Sequence, residues 1–167
     1  LILAAGHGST IDVLGSGMHA LISHPGQMNL LRQQPGYIQK AVQEMFRFES
    51  PLPFFHRYAS EALILTGQHY PKGTKFGLLY GSANRDPDQF PNADRFDITR
   101  HPNRHVAFGR GAHLCLGNHL SRLDMEVIFL SILRRTSHVE LSGPDPTYKQ
   151  SLSARGPESL PVVLTPK

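Results

Sequence analysis

The sequence contains a single cysteine, Cys115, among its 167 residues, and it contains no tryptophan. One cysteine excludes an intramolecular disulfide framework and suits a reducing cytoplasm, where we expect the protein to reside. No apolar run approaches the roughly 20 residues that a membrane-spanning helix needs, so we expect no membrane association. The first residues also lack the charged-then-apolar pattern of a secretion signal. These absences predict a globular cytoplasmic protein.

Charged residues are scarce at 18%, whereas hydrophobic residues make up 40% of the chain. This mixture is sufficient to bury a core and is not the composition of a disordered chain. The formal net charge is +4, and five arginines lie around the cysteine and the helical pattern after it: Arg104, Arg110, Arg122, Arg134 and Arg135. Such a surface would attract an acidic protein partner, although ordinary solvated arginines give the same pattern. Aromatic residues do not interleave with these charges, so we expect no nucleic-acid partner.

The cysteine lies in a glycine-framed segment, residues 108–117, which precedes a helical pattern over residues 117–135. Glycine permits tight turns and a close approach of the backbone, so such a loop can present one sulfur to a flat ligand. Backbone N–H groups aimed at that sulfur would stabilise a thiolate. Two alternatives exist. A lone cysteine is usually a small buried hydrophobic residue, and His113, Cys115 and His119 form a partial ligand set for zinc.

The complete ten-residue pattern, FGRGAHLCLG, resembles the cysteine-ligand loop of the cytochrome P450 family. The resemblance implies haem b as the cofactor, with its iron axially ligated by Cys115. It also implies that Phe108 shields the sulfur, that His113 reaches a haem propionate, and that Gly109 and Gly117 belong to the cofactor-binding loop. We therefore favour haem over zinc at this position.

A second match is Glu44-Met45-Phe46-Arg47, which has the family's Glu-x-x-Arg form. Acid–base pairs three residues apart also decorate many exposed helices. The apolar neighbours of this pair indicate partial burial, and buried charges must be paired. The resemblance implies that an arginine from a later loop joins them. We assign that role to Arg95, and we interpret Glu44, Arg47 and Arg95 as a structural charge network.

The third match lies in the first ten residues, which resemble the oxygen-binding part of the family's central helix. The resemblance implies that Ala5 and Gly6 open the helix over the haem, and that Ser9 and Thr10 are the catalytic hydroxyls of a proton relay. Glycine in a helix costs about 1 kcal/mol relative to alanine. A widened helical groove would explain why glycine occurs at positions 6 and 8, and so would a frayed helix terminus. Gly8 stands where the family has an acid, so we expect inefficient proton delivery.

Arg57 falls where the family places an arginine that binds a haem propionate. The fork of an arginine binds carboxylates bidentately, although a solvated strand arginine is the simpler alternative. By the same resemblance Pro53, Phe54 and Phe55, in the apolar run before it, face the haem and line a substrate pocket. This run could equally be an irregular segment of the core.

The sequence predicts a mainly α fold with small β-sheets (α+β), which by resemblance is the C-terminal half of the cytochrome P450 fold. We expect residues 1–167 to form a single haem-binding unit, from the central helix to the C terminus. Helices are predicted over residues 2–23, 27–33, 37–48, 81–85 and 117–135. Strands are predicted at residues 63–65 and 76–80, joined through a turn at residues 71–73, and at residues 139–141 and within 151–164. Residues 86–105 are predicted to be an ordered irregular loop.

The resemblance implies a haem-thiolate monooxygenase that inserts one oxygen atom of O₂ into a small organic substrate, with electrons from a ferredoxin. The alternative is a truncated, non-catalytic relative that binds haem or a partner protein. The family's N-terminal half has no counterpart in this sequence, so we expect an exposed apolar face covered by self-association or by a partner chain. We also expect poor turnover and release of hydrogen peroxide from this chain alone.

Overall fold

The structure is a computed structural model that describes residues 2–167, so Leu1, in the third of the matched segments, lies outside it. Within this range there are five α-helices: α1 Ile2–Ser23, α2 Pro25–Gln33, α3 Ile38–Phe48, α4 Tyr80–Ala83 and α5 Asn118–Arg135. Two short 3₁₀ turns, Pro35–Tyr37 and Gly111–His113, precede α3 and α5. None of the described helices combines the length and hydropathy that a membrane span requires.

The described strands form three antiparallel two-stranded sheets. Strand β1 Phe55–Tyr58 pairs with β4 Lys75–Leu78, β2 Leu63–Leu65 with β3 Gln68–Tyr70, and β5 Thr136–Leu141 with β6 Val162–Pro166. In the first sheet Phe55 lies opposite Leu78, and Arg57 opposite Phe76. This register brings Arg57 to the same region as the start of α4, which follows β4 directly.

The hydrophobic core lies where α1, α3 and α5 meet. Its fully buried members include Val13 and Leu21 from α1, Val42 and Met45 from α3, and Met125 and Phe129 from α5. Gly17 lies at the crossing point, since a Cβ there would stand 2.9 Å from Sδ of Met45 and 3.2 Å from the Phe129 ring. A larger residue at position 17 would therefore push the three helices apart.

Proline separates α1 from α2. Pro25 is the first residue of α2, where its fixed φ suits a helix and its missing N–H is not needed. The preceding His24 closes the end of α1 with a hydrogen bond between its Nδ1 and the Ala20 carbonyl, at 2.8 Å. The chain therefore turns sharply between the two helices.

The segment before β6 packs against α1 through a buried carboxylate. Asp12 is 3% exposed and accepts a hydrogen bond from Nζ of Lys149 at 2.5 Å. Gly156 lies directly on this aspartate, because a Cβ at position 156 would stand 2.5 Å from its Oδ1. A nearby pair, His19 Nδ1 and the Tyr148 hydroxyl, lies 3.1 Å apart. These contacts attach the C-terminal region to the helix that begins the chain.

The structure corrects the predicted strand pairing. The strand predicted at residues 76–80 is β4 and ends at Leu78, because Tyr80 already belongs to α4. It pairs with β1, which the sequence analysis did not predict, whereas β2 pairs with β3. The two residues between β2 and β3, Thr66 and Gly67, both have positive φ values, of 51° and 80°. A two-residue turn of this kind makes the next strand fold back at once.

The other predicted elements agree with the structure to within a few residues. The helices predicted over residues 2–23 and 117–135 are α1 and α5, and residues 71–73 form a turn around Gly73, whose φ is +87°. Residues 86–105 contain no helix or strand, as predicted. Their order comes instead from hydrogen bonds to the charge network described below.

Candidate functional site

Two glycines with positive φ shape the cysteine loop, Gly109 at +68° and Gly111 at +72°. Residues with a Cβ rarely adopt this conformation, which explains glycine at both positions. The loop then returns on itself, and the N–H of Cys115 donates to the carbonyl oxygen of Phe108 at 2.9 Å. The Cys115 side chain is exposed. The loop therefore holds the chain's one sulfhydryl group at the surface, and the alternative of a buried structural cysteine is wrong.

The N terminus of α5 supports the other side of the loop. Asn118 is buried, and its side-chain Nδ2 donates to the Cys115 carbonyl oxygen at 2.7 Å. The Asn118 backbone N–H points at the same oxygen, at 3.3 Å. Cys115 thus lies three residues before the first residue of α5, beside the N-terminal end of that helix.

An aromatic layer separates the cysteine loop from the core. The Phe108 ring is tilted against the Phe46 ring of α3, with their centroids 4.4 Å apart. Its centroid is also 5.9 Å from that of the His105 ring. Phe108 is half-buried, so its ring covers the inner side of the loop while the sulfur remains exposed on the outer side.

His105 is neutral in this layer. The Ala107 N–H lies 3.2 Å from its Nδ1, so the ring proton resides on Nε2, which donates to Oε1 of Gln43 at 2.9 Å. Burial, followed by the positive charges of three arginines, lowers the pKa of His105 to about 4; the arginines are Arg122, Arg47 and Arg110. A neutral imidazole adds no further positive charge beside Phe108.

This lowered pKa predicts a pH-dependent stability. The unfolded chain takes up the His105 proton near pH 6.5 and the folded chain only near pH 4, so acid favours the unfolded state in between. The free energy of unfolding should therefore fall by about 2 kcal/mol between pH 7 and pH 4.5. Denaturant titrations at both pH values measure this loss. His105→Gln, which keeps a hydrogen-bonding side chain without a titrating ring, should lose that part of the pH dependence, and an unchanged dependence would contradict the assignment.

A cleft beside the cysteine loop contains two of the predicted cofactor-binding residues. Arg57 from β1 and His113 from the loop both line this cleft, whose volume is about 350 Å³, together with Arg110 and Tyr80. Arg57 donates to the His56 carbonyl oxygen at 2.8 Å, and its guanidinium lies 5.3 Å from the Phe55 ring centroid. Three basic side chains at one cleft form a suitable environment for carboxylate groups.

The glutamate and arginine of α3 form a buried ion pair. Glu44 and Arg47 are both 0% exposed, and Nε and Nη2 of Arg47 donate to the two Glu44 oxygens at 2.7 and 2.8 Å. Arg47 also donates from Nη1 to the carbonyl oxygens of Asn84 and Ala93, each at 2.8 Å. Both charges are thus fully hydrogen-bonded, which is the condition for burying them.

The assignment of Arg95 to this network is wrong in one respect. Its side chain is exposed, and only its backbone carbonyl takes part, accepting from Nη2 of Arg47 at 3.1 Å. The arginine that joins the pair is Arg100, whose Nε donates to Glu44 at 3.2 Å. Asn103 adds a further bond to Glu44 at 3.0 Å. Arg95 and Arg100 lie five residues apart in a loop without regular structure, where no periodicity distinguishes them.

Asn84 was not recognised from the sequence, yet it connects the charge network to the cysteine loop. It is 0% exposed, and its Oδ1 accepts from the N–H of Val106 at 2.7 Å. Its Nδ2 donates to Oγ of Ser50 at 2.7 Å. The only sequence signal was an asparagine within a predicted short helix, which is too common to indicate a buried role.

The first residues of α1 form a continuous helix without an interruption at the glycines. Oγ of Ser9 donates to the Ala5 carbonyl oxygen at 3.1 Å, and Oγ1 of Thr10 to that of Gly6 at 2.6 Å. Gly6 and Gly8 are exposed, and a Cβ at either position would have no atom within 4 Å. The surface beside both glycines is open, and the widened groove stays a prediction.

The three residues predicted to form a pocket wall are placed differently from one another. The Phe54 ring packs over Gly77, where a Cβ would stand 2.9 Å from the ring, and Pro53 lies against Gly81. Phe55 is 44% exposed. Only Phe55 therefore presents an open apolar surface, whereas Pro53 and Phe54 mainly fix the position of β4 and α4.

The zinc alternative has no ligand set in the described part of the chain. No group of three or more His, Cys, Asp or Glu side chains suited to a metal ion occurs among residues 2–167. His113, Cys115 and His119 therefore do not converge.

Comparison with known proteins places this site in a family. A sequence model described as Cytochrome P450 matches residues 29–162. The cytochrome P450-terp of a Pseudomonas species is 40% identical over 98% of this chain and 38% of its own length. The biotin biosynthesis cytochrome P450 of Bacillus subtilis is 40% identical over 98% of this chain and 42% of its own. The crystal structure of P450BioI in complex with a hexadec-9Z-enoic acid-ligated acyl carrier protein has a TM-score of 0.92 at 39% identity, covering 96% of this chain and 42% of that one.

The chain belongs to the cytochrome P450 family, and its fold is the C-terminal part of the cytochrome P450 fold. It spans about two fifths of the length of the curated relatives it matches. The donor set fits the haem-thiolate group that the family implies. An exposed thiol lies at a helix N terminus, and basic side chains suited to carboxylates line the adjoining cleft.

An apolar stripe on α5 and the preceding loop faces solvent. Leu120, Leu123 and Val127 share one face of α5 and are 60%, 55% and 57% exposed, and Leu116 is 87% exposed. Large contiguous apolar surfaces are uncommon on soluble monomers. The apolar face expected from the sequence was placed at the start of the first helix, so this stripe on α5 is a separate feature that the sequence analysis did not predict.

Proposed function

We propose that the protein is the haem-bearing part of a haem-thiolate monooxygenase, with Cys115 as the axial ligand of haem b. The exposure of Cys115 in a glycine-shaped loop at the start of α5 is the observation that carries this proposal. A structural cysteine would be buried, whereas a metal ligand must be accessible and held in one orientation.

The residues around Cys115 then have distinct roles. Phe108 covers the inner side of the loop and excludes water from the side of the sulfur that faces the core. Arg57 and His113 would hold the two carboxylate groups of haem at the adjoining cleft. When haem is bound, it supplies the iron chemistry that activates O₂, and its thiolate ligand favours cleavage of the O–O bond. The net reaction consumes O₂, two electrons and two protons, and yields one water and one hydroxylated substrate.

The charge network supports the cysteine loop on the side that faces the core. Glu44 and Arg47 hold the backbone at Ala93 and Asp97 and the side chain of Asn103. Asn84 holds the backbone of Val106, two residues before Phe108. These contacts involve no exposed or reactive atom. We therefore assign the network to positioning of the cysteine loop.

Proton supply is the weakest part of the site. The hydroxyl protons of Ser9 and Thr10 are engaged with helix carbonyls, although each oxygen retains lone pairs that can accept a proton. No carboxylate follows Gly6 at the position where the family has its acid. This observation favours a second candidate function, a relative that binds haem or a partner without oxygenation.

The carbon-monoxide spectrum of the reduced, haem-loaded protein tests the ligand assignment. The unsubstituted chain should show the band of thiolate ligation. Cys115→Ser, which keeps the size of the side chain, should abolish that band, whereas His119→Ala should retain it because His119 has no role in a haem site. A thiolate band that survives in Cys115→Ser would refute the assignment. Stoichiometric zinc with no haem in the purified protein would favour the zinc alternative instead.

We also propose the partners. An acidic ferredoxin would supply the electrons, drawn by the positive charges around the cysteine loop. A further protein surface, from a second copy or from a partner chain, would cover the apolar stripe of Leu116, Leu120, Leu123 and Val127. We place the chain in the cytoplasm as one haem-binding unit acting on a small organic substrate.

A further inference from the structure

Arg122 lies one turn after the start of α5 and contacts Phe108, before the cysteine, and Asn118, after it. Its Nη1 donates to Oδ1 of Asn118 in a short hydrogen bond, and it also lies 3.2 Å from the Asn118 carbonyl oxygen. The same guanidinium lies over the Phe108 ring, 4.3 Å from its centroid. Arginine suits this position because its flat fork stacks on an aromatic face while donating at its edge.

The two residues that Arg122 contacts, Asn118 and Phe108, each form a hydrogen bond with the backbone of Cys115. Asn118, held by Arg122, donates its Nδ2 to the Cys115 carbonyl oxygen. Phe108, covered by Arg122, accepts the Cys115 N–H at its own carbonyl oxygen. A single side chain therefore restrains the peptide groups on both sides of the cysteine.

The charge of Arg122 is close to Cys115, because its guanidinium binds the Asn118 side chain and that side chain binds the Cys115 carbonyl oxygen. Burial lowers the pKa of Arg122, and Cys115 acts on it in the opposite direction. Arginine remains protonated under all ordinary conditions. A fixed positive charge thus lies on the inner side of the loop, where His105 is neutral and contributes none.

We propose that Arg122 is a positioning residue for Cys115, which orients the ligand through Asn118 and Phe108 and holds a positive charge beside the sulfur. The inference rests on the proposed function, since it assumes that Cys115 binds haem. Orientation and charge make separate predictions. Orientation should control the mobility of the Cys115 backbone with or without haem, and charge should control the reduction potential of bound haem.

The charge is tested with Arg122→Gln, Arg122→Lys and the control Arg134→Gln, which removes an exposed charge from the far end of α5. Removing a positive charge disfavours the reduced state. In Arg122→Gln the ratio of oxidised to reduced haem, measured at the midpoint potential of the unsubstituted protein, should rise about tenfold. For one electron this corresponds to a midpoint potential that is lower by about 59 mV. Arg122→Lys and Arg134→Gln should each change this ratio by less than about threefold. A shift in Arg122→Gln no larger than in Arg134→Gln, or an equal shift in Arg122→Lys, would overturn the electrostatic role.

The orientation is tested without haem, by hydrogen exchange of the Cys115 amide. Exchange should be about tenfold faster in Arg122→Gln than in the unsubstituted chain and unchanged in Arg134→Gln. Arg122→Lys, which lacks the planar fork, should show a smaller acceleration and serves as the test if Arg122→Gln does not fold. Unchanged exchange in the folded variants would overturn the proposal. Absence of a thiolate band in the unsubstituted protein would instead count against the proposed function, because the exchange experiment does not depend on haem.

Discussion

Glu44→Gln is expected to destabilise the protein by roughly 3–5 kcal/mol, the usual cost of removing one partner of a buried ion pair. The substitution keeps the size of the side chain but leaves the guanidinium of Arg47, which is 0% exposed, without its counterion. It also places an amide where the carboxylate accepts five hydrogen bonds, from Arg47 twice, Asp97, Arg100 and Asn103. An amide oxygen can replace only part of these acceptors, so some donors are left buried and unpaired.

Thermal or denaturant unfolding measures this loss, which should lower the melting temperature by about 10 °C. Asp94→Asn is the matched control, because it also converts a carboxylate to an amide, in an ion pair whose aspartate side chain is 95% exposed. It should change stability by less than about 0.5 kcal/mol. The double variant Glu44→Gln, Arg47→Met removes both charges and should recover part of the loss. A melting temperature in Glu44→Gln equal to that of Asp94→Asn would show that the pair contributes nothing to stability.

The sequence was most informative where a local rule determines the conformation. The end of α1 follows from Pro25, and the cysteine loop required glycine at positions 109 and 111, where the structure has positive φ values. The Glu44–Arg47 pair was also predictable, because its spacing on a helix beside apolar residues indicates burial and pairing. In each of these cases the deciding residues are neighbours in the sequence.

The errors concern contacts between distant segments. Arg100 lies in an irregular loop, and its contact with Glu44 depends on how that loop crosses α3, which no periodicity records. The sequence analysis paired the strand at residues 63–65 with the strand at residues 76–80. The turn at Thr66 and Gly67 instead pairs β2 with β3, and β4 pairs with β1. The contacts of Arg122 and Asn118 with the cysteine loop were missed for a different reason. On α5 the two residues are ordinary polar helix residues, and only the return of the cysteine loop gives them partners.

Gly8→Glu is expected to improve catalysis, because position 8 is where the family carries the acid of its proton relay. In the unsubstituted chain the hydroxyl protons of Ser9 and Thr10 are engaged with helix carbonyls, and no neighbouring acid supplies them. We therefore expect most of the electrons from a ferredoxin system to be recovered as hydrogen peroxide. A positioned acid or base contributes typically 10²–10⁴-fold, so Gly8→Glu should raise the rate of product formation by about 100-fold.

The structure accepts this substitution without a steric cost. A Cβ at position 8 has no atom within 4 Å, and a glutamate there replaces one of the two glycines of an exposed helical turn. Glutamate also stabilises a helix by roughly 0.5 kcal/mol relative to glycine, so a gain in activity could come from helix order alone. Gly8→Gln separates the two effects, because it gives the same backbone and nearly the same side chain without an acidic proton.

Product and peroxide are measured together for the unsubstituted chain, Gly8→Glu and Gly8→Gln, with the same electron donor and a panel of small organic substrates. Only Gly8→Glu should shift the ratio toward product. An equal gain in Gly8→Gln would assign the defect to helix order and not to proton supply. Formation of one product for every two electrons consumed by the unsubstituted chain would show that Ser9 and Thr10 relay protons without an acid, and the chain would then be a competent oxygenase as it stands.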